Sequence, residues 1–142
     1  MKTLTRLCLC ALLFAILLAG CTEADSTRQV RSAAESFSSS YFSCRYVQAA
    51  TLVTPACLPR LRFVASQLTE KDIHCIRTQT EPLELDVQSA SLLSDSTAEV
   101  LVEARNFMQP DTLGRPCRLV RTARFTLLLR RQADGQWLVD AF

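Results

Sequence analysis

Apolar residues in the first half of the chain recur every three or four positions, which is the spacing of one helical face. This pattern predicts helices over residues 26–47, 46–55 and 55–68. Thr54-Pro55 suits the start of the third helix. The Thr side chain can accept from the free backbone N–H groups of the first turn, and Pro lacks a backbone N–H where none is needed. Segment 71–79 is predicted to be a connecting loop. The apolar face of the first helix consists of Val30, Ala33, Ala34, Phe37, Tyr41 and Cys44.

The second half of the chain alternates apolar and polar residues, which is typical of strands with one buried face. The alternation breaks at 89–91, which indicates a bulge, and Asp134-Gly135 favours a tight hairpin. The chain is therefore predicted to be α+β, with three N-terminal helices packed on a curved four-stranded antiparallel sheet. The predicted strands begin near residues 83, 98, 117 and 137.

Charged residues occupy the solvent-facing positions of these strands. Acidic side chains of the first two strands face arginines of the third. Exposed pairs of this kind contribute well under about 1 kcal/mol each, so we interpret them as a solvated surface and not as an anion site. The residues are Glu84, Asp86, Glu99, Glu103, Arg118, Arg121 and Arg124.

The N-terminus has the composition of an export signal. Lys2 and Arg6 precede an apolar stretch of twelve residues, too short for a bilayer-spanning helix, which needs about 20. Leu-Ala-Gly-Cys at 18–21 then resembles the bacterial lipobox, which implies cleavage before Cys21 and lipid attachment to its sulfur. The alternative is a buried helix with an incidental cysteine. The predicted organisation is a signal peptide over 1–20, a lipidated tether over 21–27 and a domain over 28–142.

Lipidation implies a location in the bacterial cell envelope, with the domain outside the cytoplasm and held to a membrane through Cys21. Thr22 follows the cysteine where Asp would favour inner-membrane retention in enterobacteria, so the resemblance favours the outer membrane. Without Lys2 and Arg6, the 16 basic side chains fall to 14 and match the 14 acidic ones. A net charge near zero gives no argument for nucleic acid as a partner, and the sequence carries no cofactor motif.

Four of the seven cysteines belong to the predicted domain: Cys44, Cys57, Cys75 and Cys117. An even number in an oxidising compartment predicts two disulfides, with three pairings open. Metal binding is the competing interpretation. It is disfavoured because no two cysteines have metal-ligand spacing and only His74 could assist.

Three stretches resemble the NTF2-like (cystatin-like α+β) superfamily, and within it small bacterial lipoproteins of unknown function. They are "SSYFSCRYVQAATLVTPACLPRLRFVASQL", "STAEVLVEA" and "FTLLLRRQADGQWLVDAF", and the resemblance covers nearly all of 28–142. It implies a conical pocket between the helices and the sheet. On this assumed fold the preferred disulfides are Cys44–Cys75 and Cys57–Cys117. Members include ketosteroid isomerase-like and dehydratase-like enzymes as well as binding domains, so the fold does not choose a function.

The strand positions that alternation places inside the cone are apolar except for Asn106. A polar pair of Tyr41 and Asn106 is one candidate for pocket chemistry. Trp137 is interpreted as filling the core, with ligand stacking as the alternative. His74 is interpreted as a surface residue, and no residue is predicted to be catalytic. The inward positions are Leu83, Leu85, Val87, Val100, Val102, Ala104, Asn106, Leu127, Leu129, Trp137 and Val139.

The favoured hypothesis is a membrane-anchored envelope lipoprotein, not an enzyme, whose domain binds a protein partner or a small apolar ligand. The alternative is an enzyme of the isomerase or dehydratase type that uses a carboxylate in the pocket. A third hypothesis is a structural or assembly subunit, which an exposed apolar patch would favour.

Overall fold

The computed structural model describes residues 23–110 and 117–142. Helix α1 covers 23–42, and Val30, Ala34 and Phe37 on its buried face are each at most 1% exposed. Helical spacing predicts these positions to face the core. Residues 23–27 are already helical, although their polar composition predicts a tether. Cys21 and the predicted signal peptide lie outside the described residues. None of the helices in the described ranges is both long and apolar enough to cross a bilayer.

Helix α1 ends in a Schellman motif that turns the chain into α2 (Tyr46–Ala49). The amide of Arg45 donates to the carbonyl of Ser40 at 2.8 Å, and the amide of Cys44 donates to the carbonyl of Tyr41 at 3.0 Å. Such a motif needs a left-handed residue after the helix, usually glycine. Cys44 takes this conformation here, with φ of 54°.

A 3₁₀ turn over Ala50–Leu52 follows α2, and α3 covers Leu58–Ser66. Between the two, the amide of Thr54 donates to the carbonyl of Val139 at 2.8 Å. Val53 forms an isolated parallel bridge with the same Val139. The helical half of the chain is therefore hydrogen-bonded directly to the last strand of the sheet.

A fourth helix, α4 (Glu70–Arg77), replaces the predicted loop over 71–79, so that prediction is wrong. A capping box starts the helix: the amide of Asp72 donates to Thr69 Oγ1 at 3.3 Å, while Asp72 Oδ2 accepts from the Thr69 amide at 2.9 Å. Two isoleucines give the segment too little helical periodicity to show in the apolar pattern. The feature of the sequence that indicates this helix is the capping motif Thr-x-x-Asp at its start, not the spacing of its apolar residues.

Four strands form one sheet in chain order: β1 (Glu84–Leu92), β2 (Thr97–Gln109), β3 (Arg118–Arg131) and β4 (Trp137–Ala141). All neighbours are antiparallel. The register shifts in β1 between Val87 and Ser89, close to the predicted bulge. A second shift, between Leu128 and Leu129, lies where β3 pairs with β4. The predicted α+β class is confirmed, with four helices in place of three.

The core lies between α1 and one face of the sheet. Arg31 fixes their relative position, because its Nη2 donates to the carbonyl of Val87 at 2.7 Å, beside the bulge in β1. Most strand positions that alternation predicts as inward are buried. These are Val87, Val100, Val102, Ala104, Leu127, Leu129, Trp137 and Val139.

Asn106 departs from this alternation. It has φ of 53°, a left-handed conformation that Asn tolerates better than most residues. Burial moves by one position as a result: Asn106 is half-buried, while Phe107 is 5% exposed. Simple alternation fails here because it assumes an unbroken pleat.

The opposite face of the sheet carries the ion pairs that the sequence predicts, with changes of partner. Glu103 accepts from Arg124 Nε at 3.0 Å and from Arg105 Nε at 3.1 Å, and these arginines, Arg124 first, lower the pKa of Glu103. Arg121 pairs with Glu81, which precedes β1. The arrangement is a solvated network of opposite charges.

Candidate functional site

An aromatic pocket of about 250 Å³ opens between the helices, the end of β2 and the middle of β3. The chain reverses at the end of α1, and this brings side chains from three helices over the sheet. The six rings that define the aromatic pocket are Tyr41, Phe42, Tyr46, Phe63, Phe107 and Phe125.

Three phenylalanines form the floor of the aromatic pocket. The ring centroid of Phe42 lies 5.0 Å from that of Phe107 and 4.8 Å from that of Phe125, and the latter two are 5.8 Å apart. Tilted and edge-on contacts in this range are the favourable ones for aromatic pairs. Phe107 reaches the cluster because the left-handed Asn106 turns the strand immediately before it. The floor therefore depends on a single backbone conformation in β2.

One wall of the pocket combines aromatic and polar character. Tyr41 packs edge-on against Tyr46 with centroids 5.8 Å apart, and Cys44 Sγ shares a hydrogen bond of 3.5 Å with Tyr46 Oη. Burial is the main cause that raises the pKa of each of these three groups. The hydroxyls and the thiol are consequently neutral at physiological pH, so the wall offers uncharged hydrogen-bonding groups.

The mouth of the pocket is marked by Phe63 on α3. Its side chain is 67% exposed, which is unusual for a large apolar residue. Gln67, one turn later, and Gln109 at the end of β2 supply polar groups at the same opening. The pocket is thus accessible from solvent, with an exposed ring at its entrance.

Two solved structures have a similar fold. A ketosteroid isomerase-like protein from Erwinia carotovora atroseptica SCRI1043 gives a TM-score of 0.60 at 12% identity, with 80% of this chain and 89% of that chain covered. An NTF-2 like protein of unknown function from Shewanella oneidensis MR-1 gives 0.51 at 12% identity, with 80% and 93% covered. No protein-family model and no curated protein matches the sequence.

The domain has the NTF2-like fold. At 12% identity these likenesses establish the fold alone, and the chemistry of the NTF2-like domain has to be argued from its own side chains. The aromatic pocket lies where the resemblance implies a cone, between the sheet and the helices.

Among the described residues that line the aromatic pocket, none is Asp, Glu, His, Lys or Arg. The nearest buried carboxylate of the NTF2-like domain is Asp72, which is 1% exposed and acts electrostatically on Cys44 and Tyr46. Thr69 donates to its Oδ2 through both its amide, at 2.9 Å, and its hydroxyl, at 2.6 Å. Asp72 therefore serves as a helix cap behind the pocket wall.

The structure does not bring the predicted pocket residues together. Tyr41 lines the aromatic pocket. The backbone carbonyl of Asn106 accepts from Gln79, and the Asn106 side chain is not among those that line the pocket. Trp137 is 4% exposed in the core and borders a different, shallow concavity beside α1. His74 is exposed on α4. The apolar pattern of the sequence did not indicate the three floor phenylalanines or Phe63 as pocket residues.

Of the four cysteines of the domain, Cys57 and Cys117 are buried and Cys44 and Cys75 are half-buried, and their disulfides stay a prediction. Cys117 lies beside Cys75, with Cys44 and Asp72 farther out. Cys57 lies elsewhere, close to Arg60 and Asp140. Within the described ranges no three His, Cys, Asp or Glu side chains converge as they would to hold a metal ion.

Proposed function

We propose that the domain is a binding module that takes a small, uncharged, largely apolar ligand into the aromatic pocket. The observation that carries this proposal is the lining itself, six aromatic rings around about 250 Å³ with only neutral polar groups among the described lining residues. An apolar cavity of about 150 Å³ is enough for benzene. The aromatic pocket therefore has room for roughly ten non-hydrogen atoms, with a larger ligand extending past Phe63.

The polar groups of the wall define the ligand further. The side chains of Cys44 and Tyr46 share one weak hydrogen bond of 3.5 Å. The Tyr46 hydroxyl can therefore donate to an acceptor on the ligand instead, and little free energy is lost when its bond to Cys44 breaks. A carboxylate would be desolvated in the pocket without a cation among the described lining residues to pair with it. The preferred ligand is an aromatic or branched hydrocarbon body with a single oxygen acceptor.

We further propose that the chain is a lipoprotein of the bacterial envelope, anchored through Cys21 and exposing the domain outside the cytoplasm, with the outer membrane favoured over the inner one. The support is the order of basic head, apolar stretch, small residues and cysteine over 1–21. Two or three acyl chains would hold the protein firmly, since each buried CH₂ contributes about 0.8 kcal/mol.

The alternative function, an isomerase or dehydratase with a pocket carboxylate, has one specific observation in its favour, the burial of Asp72 next to the wall. Its Oδ2 atom, however, is held by two hydrogen bonds from Thr69. A base must reach the proton it removes, and Asp72 is not among the residues that line the cavity. Binding without chemistry accounts for this arrangement better.

Calorimetric titration of the full chain in detergent, with p-cresol and 4-hydroxybenzoate, tests the binding proposal. Both molecules contain a phenol ring. In the position opposite the hydroxyl, p-cresol carries a methyl group and 4-hydroxybenzoate carries a carboxylate. We expect p-cresol to bind and 4-hydroxybenzoate to bind at least tenfold more weakly, because the carboxylate loses its hydration. Equal affinities would contradict the proposal.

A matched pair of surface variants locates the binding site. Phe63→Ala removes an exposed ring at the mouth, and Val47→Ala removes an exposed side chain on α2 that does not line the pocket. We expect the first to weaken p-cresol binding by about 1 kcal/mol, roughly fivefold, and the second to leave it unchanged. Identical effects of the two variants would place the site elsewhere.

A further inference from the structure

Two cysteines that are 42 positions apart in sequence meet beside the ends of β2 and β3. Cys75 lies on α4, and Cys117 immediately precedes β3. Of the groups around Cys117, Cys75 does most to raise its pKa, which indicates that the two side chains are neighbours. The Cys117 side chain is 8% exposed, while Cys75 is half-buried.

The surroundings of Cys75 place it at the same point independently. Cys75 borders a small surface concavity together with Met108 and Leu119. Met108 and Leu119 are paired across β2 and β3, and the next pair, Gln109 with Arg118, leads directly to Cys117. Helix α4 therefore presents Cys75 to the end of the sheet at which Cys117 lies.

We propose that Cys75 and Cys117 form a disulfide bond that ties α4 to the start of β3. A disulfide forms without backbone movement only where the two Cα atoms lie within about 7 Å and the Cβ atoms face each other, and the approach of Cys75 to the end of the sheet that carries Cys117 favours this arrangement. The bond would close a long loop that contains β1, β2 and their connecting turn, and closure of a long loop restricts the unfolded chain strongly.

The remaining cysteines are placed less well to pair with Cys117. Cys44 lies within electrostatic reach of Cys117, yet its thiol is engaged with Tyr46 Oη at 3.5 Å in the pocket wall. Cys57 is 4% exposed and lies with Arg60 and Asp140. The proposed pairing of Cys75 with Cys117 differs from both disulfides that the resemblance implies, Cys44–Cys75 and Cys57–Cys117.

The oxidation is a thiol–disulfide exchange with a disulfide donor. The more accessible Cys75 loses its proton and attacks one donor sulfur, which forms a mixed disulfide and releases a donor thiolate. Cys117 then attacks the Cys75 sulfur and releases the second donor thiolate. Two electrons pass to the donor, which takes up both protons and leaves as two thiols. Burial, and after it the neighbouring Cys75, raises the pKa of Cys117. Cys75 is the better first nucleophile because its side chain is half-buried and easier for the donor to reach than that of Cys117, which is 8% exposed.

The bond would matter most for α4. Asp72 is the only fully buried side chain of this helix, and it lies behind Cys44 and Tyr46 in the pocket wall. A covalent link to β3 would hold α4 in place when its own packing does not. The proposed disulfide does not depend on which ligand the aromatic pocket binds.

Peptide mapping tests the pairing directly, because trypsin places each of the four cysteines of the domain on a different peptide. Cys44 falls on 32–45, Cys57 on 46–60, Cys75 on 72–77 and Cys117 on 106–118. The full chain, solubilised in detergent and equilibrated with oxidised and reduced glutathione, is alkylated and digested without reduction. We expect 72–77 to be linked to 106–118. A link of 106–118 to 46–60 or to 32–45, or complete alkylation of Cys75 and Cys117, would overturn the proposal.

Two serine variants provide the control. Cys57→Ser should retain the 72–77 to 106–118 link, and Cys117→Ser should abolish it. Reduction should lower the Tm of the wild-type chain by several degrees and leave the Tm of Cys117→Ser unchanged. Equal shifts in both proteins would contradict the proposal, and the wild-type map decides the pairing even if a variant fails to fold.

Discussion

Thr54 Oγ1 donates a hydrogen bond of 2.7 Å to Asp140 Oδ1 and so links the segment before α3 to the last strand. The other carboxylate oxygen of Asp140 accepts from Arg130 Nε at 3.1 Å and Nη2 at 2.9 Å. Thr54, and after it Arg130, lower the pKa of Asp140 below its ordinary value. The ionised carboxylate is therefore part of what joins the two halves of the fold.

This linkage predicts a loss of stability in acid. Since the pKa of Asp140 is lower in the folded state, its contribution to stability is complete above the unfolded pKa of about 4 and disappears as the pH falls through the folded pKa. Asp140→Asn should lower the free energy of unfolding by about 1 kcal/mol at pH 7 and flatten its decline between about pH 5 and 2.5.

The matching control is Asp95→Asn, in the exposed turn between β1 and β2, where the described structure gives the carboxylate no hydrogen bond. Urea denaturation over the pH range provides the measurement. If the wild-type and Asp140→Asn curves ran parallel, the assignment of this acid sensitivity to Asp140 would be wrong.

The capping box of α4 gives a second prediction. Thr69→Ala removes the hydroxyl that accepts from the Asp72 amide and donates to Asp72 Oδ2, and should destabilise the protein by about 1 kcal/mol. Thr80→Ala, in the loop after the helix, should change the free energy of unfolding by less than about 0.5 kcal/mol. Urea denaturation of the reduced protein measures both, and equal losses would show that the cap contributes nothing.

A third prediction concerns the left-handed Asn106. Glycine adopts φ of 53° without steric strain, whereas a β-branched residue does not. Asn106→Gly should be neutral or stabilise by up to about 1 kcal/mol, and Asn106→Val should destabilise by at least about 1 kcal/mol. The valine variant should also weaken p-cresol binding, because Phe107 loses its position in the pocket floor. Preserved stability and binding in Asn106→Val would show that β2 does not need this conformation.

The fourth prediction tests the lipid anchor. Labelled palmitate should enter the full chain in a bacterial host and should be absent from Cys21→Ser, which keeps every other residue. The wild-type protein should fractionate with membranes, and the serine variant should not. Label in both proteins, or in neither, would contradict attachment at Cys21.

The sequence was sufficient for the elements whose burial follows a regular period. The alternating positions of β2 and β3 and the helical face of α1 appear as predicted, because the core fixes their orientation. Helix α4 was missed because hydrogen bonds between Thr69 and Asp72 start it, and two isoleucines cannot display a period.

The candidate site was harder to predict, because the rings that form it depend on two irregular residues. Cys44 and Asn106 both take left-handed conformations, and each reorients the aromatic side chain that follows it. Asn within a strand pattern was an available signal, since Asn is enriched at positive φ. No such cue marks Cys44, where glycine is the usual residue.

The bridge between Val53 and Val139 also bears on self-association through exposed strand edges. A foreign strand cannot add to β4 at Val139, whose carbonyl already accepts from Thr54. At the opposite margin, the bulge after Val87 interrupts the row of amides and carbonyls, and Arg31 occupies the Val87 carbonyl. Interruptions of this kind are how natural sheets resist edge-to-edge pairing, and each margin of this sheet carries one.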